Sequence, residues 1–86
     1  MSALDGNALA GLLWEALGSD VSGAGSCCAA CGATAPVGGQ RAWLSAAGAV
    51  LRCHGCDAVL LVVVRVRGGY RVSFDRLAWL ATDAPA

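Results

Sequence analysis

The chain has 86 residues, enough for one domain, and a domain this short buries only about 60% of the surface that its unfolded chain exposes. Its 57% hydrophobic and 14% charged content excludes a disordered, charge-driven chain, and its longest apolar run, residues 58–64 between Asp57 and Arg65, is too short to span a membrane as a helix. The formal net charge of zero hides a polarity: all six bases are arginines between positions 41 and 76, while Asp5, Glu15 and Asp20 stand unopposed in the first forty residues.

Residues 4–17 read as an amphipathic helix. Leu9, Leu12, Leu13 and Ala16 recur at helical spacing, Asp5 or Asn7 can accept from the free N–H groups of a first turn, and Gly18 suits its end. Trp14, on the flank of that stripe, reads as a packing residue. Residues 21–26 are small and Gly-rich, a loop leading into the first cysteine turn. Another loop follows at 35–39, then a hairpin of two short strands, 40–45 and 49–52 around Gly48.

The second hairpin is clearer. Strands 59–67 and 70–75 flank Gly68-Gly69, which suits a two-residue turn. That turn would set Arg67 opposite Tyr70, Arg65 opposite Val72 and Val63 opposite Phe74. Tyr70, Val72 and Phe74 then mark the inner face, leaving Val62, Val64 and Val66 to be covered by the N-terminal helix or by a partner chain. Residues 77–80 form a short apolar tail, a strand or a helical turn, and residues 82–86 should fray.

Chemistry concentrates in two C-x-x-C pairs, Cys28–Cys31 and Cys53–Cys56, with 21 residues between them. Two such pairs on tight turns bring four soft sulfur ligands to a tetrahedral point, the closed geometry of structural zinc. Such a metal would staple a core too small to be secure alone. Gly32 follows the first pair and supplies the positive φ such a turn needs; Asp57 stands in that place after the second. Cys27 is expected to be a free, partly buried thiol beside the site, and His54 an exposed turn residue outside the ligand set. Since neither pair is followed by histidine, covalent haem attachment is excluded.

The expected fold is small α+β: a zinc ribbon, with the N-terminal amphipathic helix packed on a three- to four-stranded antiparallel sheet, as one domain over residues 1–86 with the ribbon at 27–80. The opening L-D-G-N-A-L-A-G-L-L at 4–13, the cysteine turn at 28–32 and V-L-R-C-H-G-C-D-A-V-L at 50–60 resemble a family of short bacterial proteins, catalogued as a domain of unknown function with a zinc-ribbon-like cysteine pattern. The resemblance covers nearly the whole chain. It implies that Cys28, Cys31, Cys53 and Cys56 are the family's ligand positions, and it supplies no activity. His54 departs from the proline that such turns frequently carry.

A four-thiolate site leaves no open metal position for water, so the expectation is a non-enzymatic interaction module. An iron electron carrier of the rubredoxin type is the alternative, because iron accepts the same sulfur cage. Thiol–disulfide exchange at Cys53–Cys56 is disfavoured by the β-prone residues that follow, where a reactive thiolate would sit at a helix start. Arg65, Arg67 and Arg71 beside Tyr70 form a candidate contact cluster for nucleic acid or another partner, weighed against arginines that merely solvate an apolar hairpin. Val62, Val64 and Val66 are a candidate protein or homodimer surface. Without an export signal, and with cysteines suited to a metal, the expected location is cytoplasmic, with no membrane partner.

Overall fold

Strand pairing dominates this protein, and its computed structural model describes residues 3–5, 10–18 and 23–81. The elements in chain order are β1 (Ala3–Asp5), α1 (Ala10–Leu17), β2 (Gly25–Cys28), β3 (Thr34–Pro36), a 3-10 turn (Val37–Gly39), β4 (Arg41–Ser45), β5 (Gly48–Arg52), β6 (Val59–Val66), β7 (Gly69–Phe74) and β8 (Leu77–Ala81). The strands form two antiparallel sheets, one ordered β1-β4-β5-β6-β7 and the other β3-β2-β8.

This corrects the expected architecture of one helix on one three- to four-stranded sheet. The fold is mostly β, in two sheets, and its one described helix has eight residues. Leu4 and Asp5, expected within the helix, instead belong to β1 and pair with β4, Leu4 opposite Ala42 and Asp5 opposite Arg41. Tertiary pairing overrides a local periodicity whose partner lies far along the chain. Asn7 and residues 6–9 fall outside the described residues, as do residues 82–86. The helix does end as expected, with the Gly18 N–H donating to the Trp14 carbonyl at 2.8 Å.

The second sheet was hidden in segments read as loops. β2 and β3 are short and built from Gly, Ser, Thr, Pro and Cys, with no alternating pattern to announce a strand. They become strands because β2 is flanked on both sides, by β3 (Ser26 opposite Ala35) and by β8 (Ser26 opposite Leu80). The apolar tail at 77–80 is therefore a sheet strand, reached directly from β7 through Asp75 and Arg76, whose N–H groups donate back to Leu60 and Val59 at 2.9 Å.

Both hairpins form, with a changed register in the second. The turn falls on Arg67-Gly68, and Gly68 alone of the two glycines has a positive φ, 84°. A single left-handed residue at the second turn position is the type II arrangement. Arg65 therefore faces Tyr70, Val63 faces Val72 and Leu61 faces Phe74. Because each pairing moves by two residues, the expected division into faces survives while every partner changes.

One face of the large sheet carries Ala42, Leu51 and Leu61 in one row and Leu44, Ala49 and Val63 in the next. Ala42, Ala49, Leu51, Leu61 and Val63 are buried, and Leu12 and Ala16 of α1 pack against the cluster that they form with Leu13. The helix thus lies over the Tyr70 face, not over the valine stripe. Val62 is half-buried, while Val64 and Val66 stay 37% and 41% exposed. Trp14, expected to close the core, is 57% exposed.

Candidate metal centre

Two matched turns hold the cysteine pairs. In the first, the Cys28 N–H donates to the Ala33 carbonyl at 2.9 Å and the Gly32 N–H to the Cys28 carbonyl at 2.8 Å; in the second, Cys53 to Ala58 at 2.8 Å and Asp57 to Cys53 at 2.9 Å. Offset by 25 positions, the bonds coincide. The residue after each second cysteine is left-handed in both, Gly32 at φ 78° and Asp57 at φ 65°. Aspartate therefore does in the second turn what glycine does in the first, and Arg52 meets its carboxylate at 3.4 Å.

The turns face each other across the joint between the sheets. The first leaves β2 of the small sheet, and the second leaves β5 of the large one. All four Sγ atoms lie within 4.8 Å of one another, and the closest approaches cross between turns: Cys28 to Cys56 and Cys31 to Cys53, each 3.6 Å. A disulfide needs about 2.05 Å, whereas a tetrahedral thiolate cage with metal–sulfur bonds of about 2.3 Å sets its sulfurs roughly 3.8 Å apart. The donor set and spacing fit a metal ion. Cys28 and Cys53 are buried in the core cluster, while Cys31 and Cys56 reach the surface.

The electrostatics suit a thiolate cluster. Burial pushes the Cys53 thiol up, but the amides of Cys56 and Gly55, the latter 3.3 Å from its sulfur, together with the neighbouring thiols of Cys31 and Cys56, bring it down to about 7. At Cys31 the Ala33 amide pulls downward, yet the sulfurs of Cys53, Cys56 and Cys28 together with desolvation push the thiol up to about 12. Cys56 is likewise raised, the Ala58 amide and the Cys31 sulfur being outweighed by desolvation and the sulfurs of Cys28 and Cys53. Several thiols so close resist losing their protons together, and a cation removes that resistance.

Cys27 stands outside the four-sulfur cluster as a free, half-buried thiol, its Sγ 3.8 Å from the Cys28 carbonyl and 3.7 Å from that of Gly32. His54 is also outside it and exposed. Its partner is a side chain that the sequence did not single out. Gln40 is 1% exposed, and its Oε1 accepts from the His54 backbone N–H at 2.9 Å and contacts His54 Nδ1 at 2.8 Å. Its Nε2 donates to Ser26 Oγ at 3.0 Å, and that hydroxyl donates to the Ala35 carbonyl at 2.7 Å. Since Oε1 can only accept, Nδ1 carries the His54 proton. A lone glutamine before a strand has no motif to reveal it; only the assembled joint gives its side chain three hydrogen bonds.

The arginine cluster is divided. Arg65 and Tyr70 meet, the guanidinium carbon 5.7 Å from the ring centroid, but both face α1, where the Tyr70 hydroxyl donates to Glu15. That hydrogen bond is the main cause of a raised Tyr70 pKa. Arg67 sits in the turn, and Arg71, opposite Val64, lies on the valine face. Beside Arg65, a cleft of about 420 Å³ opens between α1 and the β4–β5 hairpin, lined by Leu12, Glu15, Leu44, Ser45 and Gly48.

A family model described as a family of unknown function (DUF6510) matches residues 1–85. No curated protein and no solved structure shows significant similarity to the chain.

Proposed function

The chain belongs to this family of unknown function, DUF6510, and, since membership brings no activity with it, we propose from the site itself that the protein is a non-enzymatic, metal-stapled interaction module. Cys28, Cys31, Cys53 and Cys56 hold one zinc ion, which joins the large sheet to the small one. The observation that carries this reading is the set of four Sγ atoms within 4.8 Å of one another on two turns with the same hydrogen-bond pattern, one from each sheet.

Four thiolates complete the coordination of zinc, and no position remains for a reacting water, which separates this arrangement from catalytic zinc. The ion's work is mechanical: it pins two sheets whose shared core is small. Five free thiols suit the reducing cytoplasm, where this protein is proposed to act. Its business would then be binding another macromolecule.

Native mass spectrometry of protein purified without added metal tests the assignment. One zinc per chain in a colourless sample is the expected result. A red, redox-active sample carrying iron would replace the adaptor with an electron carrier, and a metal-free folded chain would remove the staple altogether.

A further inference from the structure

We propose that β7 is the dimerisation edge of this protein, pairing antiparallel with β7 of a second copy about a two-fold axis at Val72. The inference is independent of which metal the cysteines hold.

Among the described residues the two sheets present four edges, and three are blunted. β1 and β3 have three residues each, and β3 ends in Pro36. β8 faces a register irregularity opposite Cys27 and Cys28. Short strands, proline and bulges are the devices by which proteins keep sheet edges from pairing. β7 has none of them. It runs six residues in unbroken register with β6, without proline or lysine.

The hydrogen-bond phase of β7 identifies which groups are free. Asp75 N–H donates to Leu60, so Ser73, Arg71 and Gly69 are the residues bonded to β6 as the pairs alternate. The N–H and C=O groups of Tyr70, Val72 and Phe74 therefore point away from the sheet. These are three alternate docking positions on one strand, and Phe74, the last of them, is 57% exposed.

Only one two-fold register uses all three. With Val72 opposite Val72 of the second copy, Tyr70 and Phe74 pair reciprocally, and each such pair exchanges both backbone bonds. The side chains then agree with the backbone. Tyr70 meets Phe74 as an aromatic cross-strand pair, and Arg71 meets the uncharged Ser73. Sliding by one step toward the turn would set Arg71 against its own copy and forfeit a bonded pair. Sliding the other way sets Ser73 against itself, also with fewer bonds. Dimerisation in the favoured register would also place the Val64 and Val66 stripes of both copies on one face of a continuous sheet, on either side of the Arg71 and Ser73 pairs.

Ser73 is exposed and bonds to β6 only through its backbone, so charges placed there read the register without disturbing the monomer. Sedimentation equilibrium of the protein as purified, over micromolar to millimolar concentration, should show a monomer–dimer equilibrium. S73R should weaken it about fivefold and S73E should strengthen it by a similar factor, through the two symmetric contacts with Arg71. Val72→Pro, which removes an N–H that β6 does not use, should weaken it about tenfold or more while circular dichroism stays β-rich. A monomer at every concentration overturns the proposal. So does a dimer that responds equally to both Ser73 charges or ignores Val72→Pro, a result that would place the contact on the valine face instead.

Discussion

Gln40 shows how much a single buried polar residue can control. Its carboxamide is satisfied on both ends, receiving the second cysteine turn through His54 and giving to Ser26 in the small sheet. Substitution by leucine keeps the volume but takes the acceptor from the part-buried His54 N–H, while Ser26 Oγ loses the bond it accepts and keeps the one it donates to Ala35; a buried donor left unpaired costs about 1–3 kcal/mol. Q40L is expected to lower the unfolding free energy by about 2 kcal/mol in urea titration. The ¹⁵N signature of a protonated His54 Nδ1 should vanish with it; a retained tautomer would show that the carboxamide does not hold the ring. Asp57 offers a second single-residue test, because its φ of 65° is dictated by the turn. Asp57→Gly removes the left-handed strain and an exposed ion pair together, leaving stability within about 1 kcal/mol of the parent. Asp57→Val, β-branched at positive φ, should cost about 2 kcal/mol in the same titration.

At the level of elements, legibility followed how local each signal was. The cysteine spacing foretold which four sulfurs would meet, and the alternation in 70–74 foretold the inner face, because both signals lie within a few residues or a simple period. β1, β2 and β3 were invisible since their reason to be strands is a partner elsewhere: Ala3 needs Trp43, and Ser26 needs both Ala35 and Leu80. The helix was read with the right stripe but too long, and on the wrong face of the sheet. Leu13 and Trp14 now separate the two faces of α1, one fully buried and the other 57% exposed. Leu13→Ala should cost about 3 kcal/mol and Trp14→Ala under about 1 kcal/mol. Equal losses in thermal denaturation would mean that α1 packs with a different face.

For the whole molecule, the candidate metal site is where the two sheets are joined, so its occupancy should govern cooperativity as well as stability. Each sheet contributes one cysteine turn, and outside those turns the joint rests mainly on the Gln40 network, the Asp75–Arg76 crossover and the buried cluster around Leu60. Stripping the metal with a chelator leaves sulfurs as close as 3.6 Å, with several of the thiols driven to hold their protons. If the ion contributes even about 3 kcal/mol of net stability, a chain of this size should lose roughly 12–24 °C in melting temperature. Acid should have the same effect by competition, because thiolate ligands must be deprotonated and every proton they bind opposes the metal. The sign follows from Cys53, whose thiol lies near 7 rather than the ordinary 9: stability tied to its thiolate is present above that range and is lost as the pH falls through about 7. In a metal-buffered solution, melting temperature should therefore decline as the pH falls from about 9 to about 7, and proton competition for the thiolates should carry it further toward that of the chelated protein, while Cys28→Ser, already missing one ligand, starts low and changes little. A parent melting curve indifferent to both chelator and acid would mean that the core alone holds the sheets together.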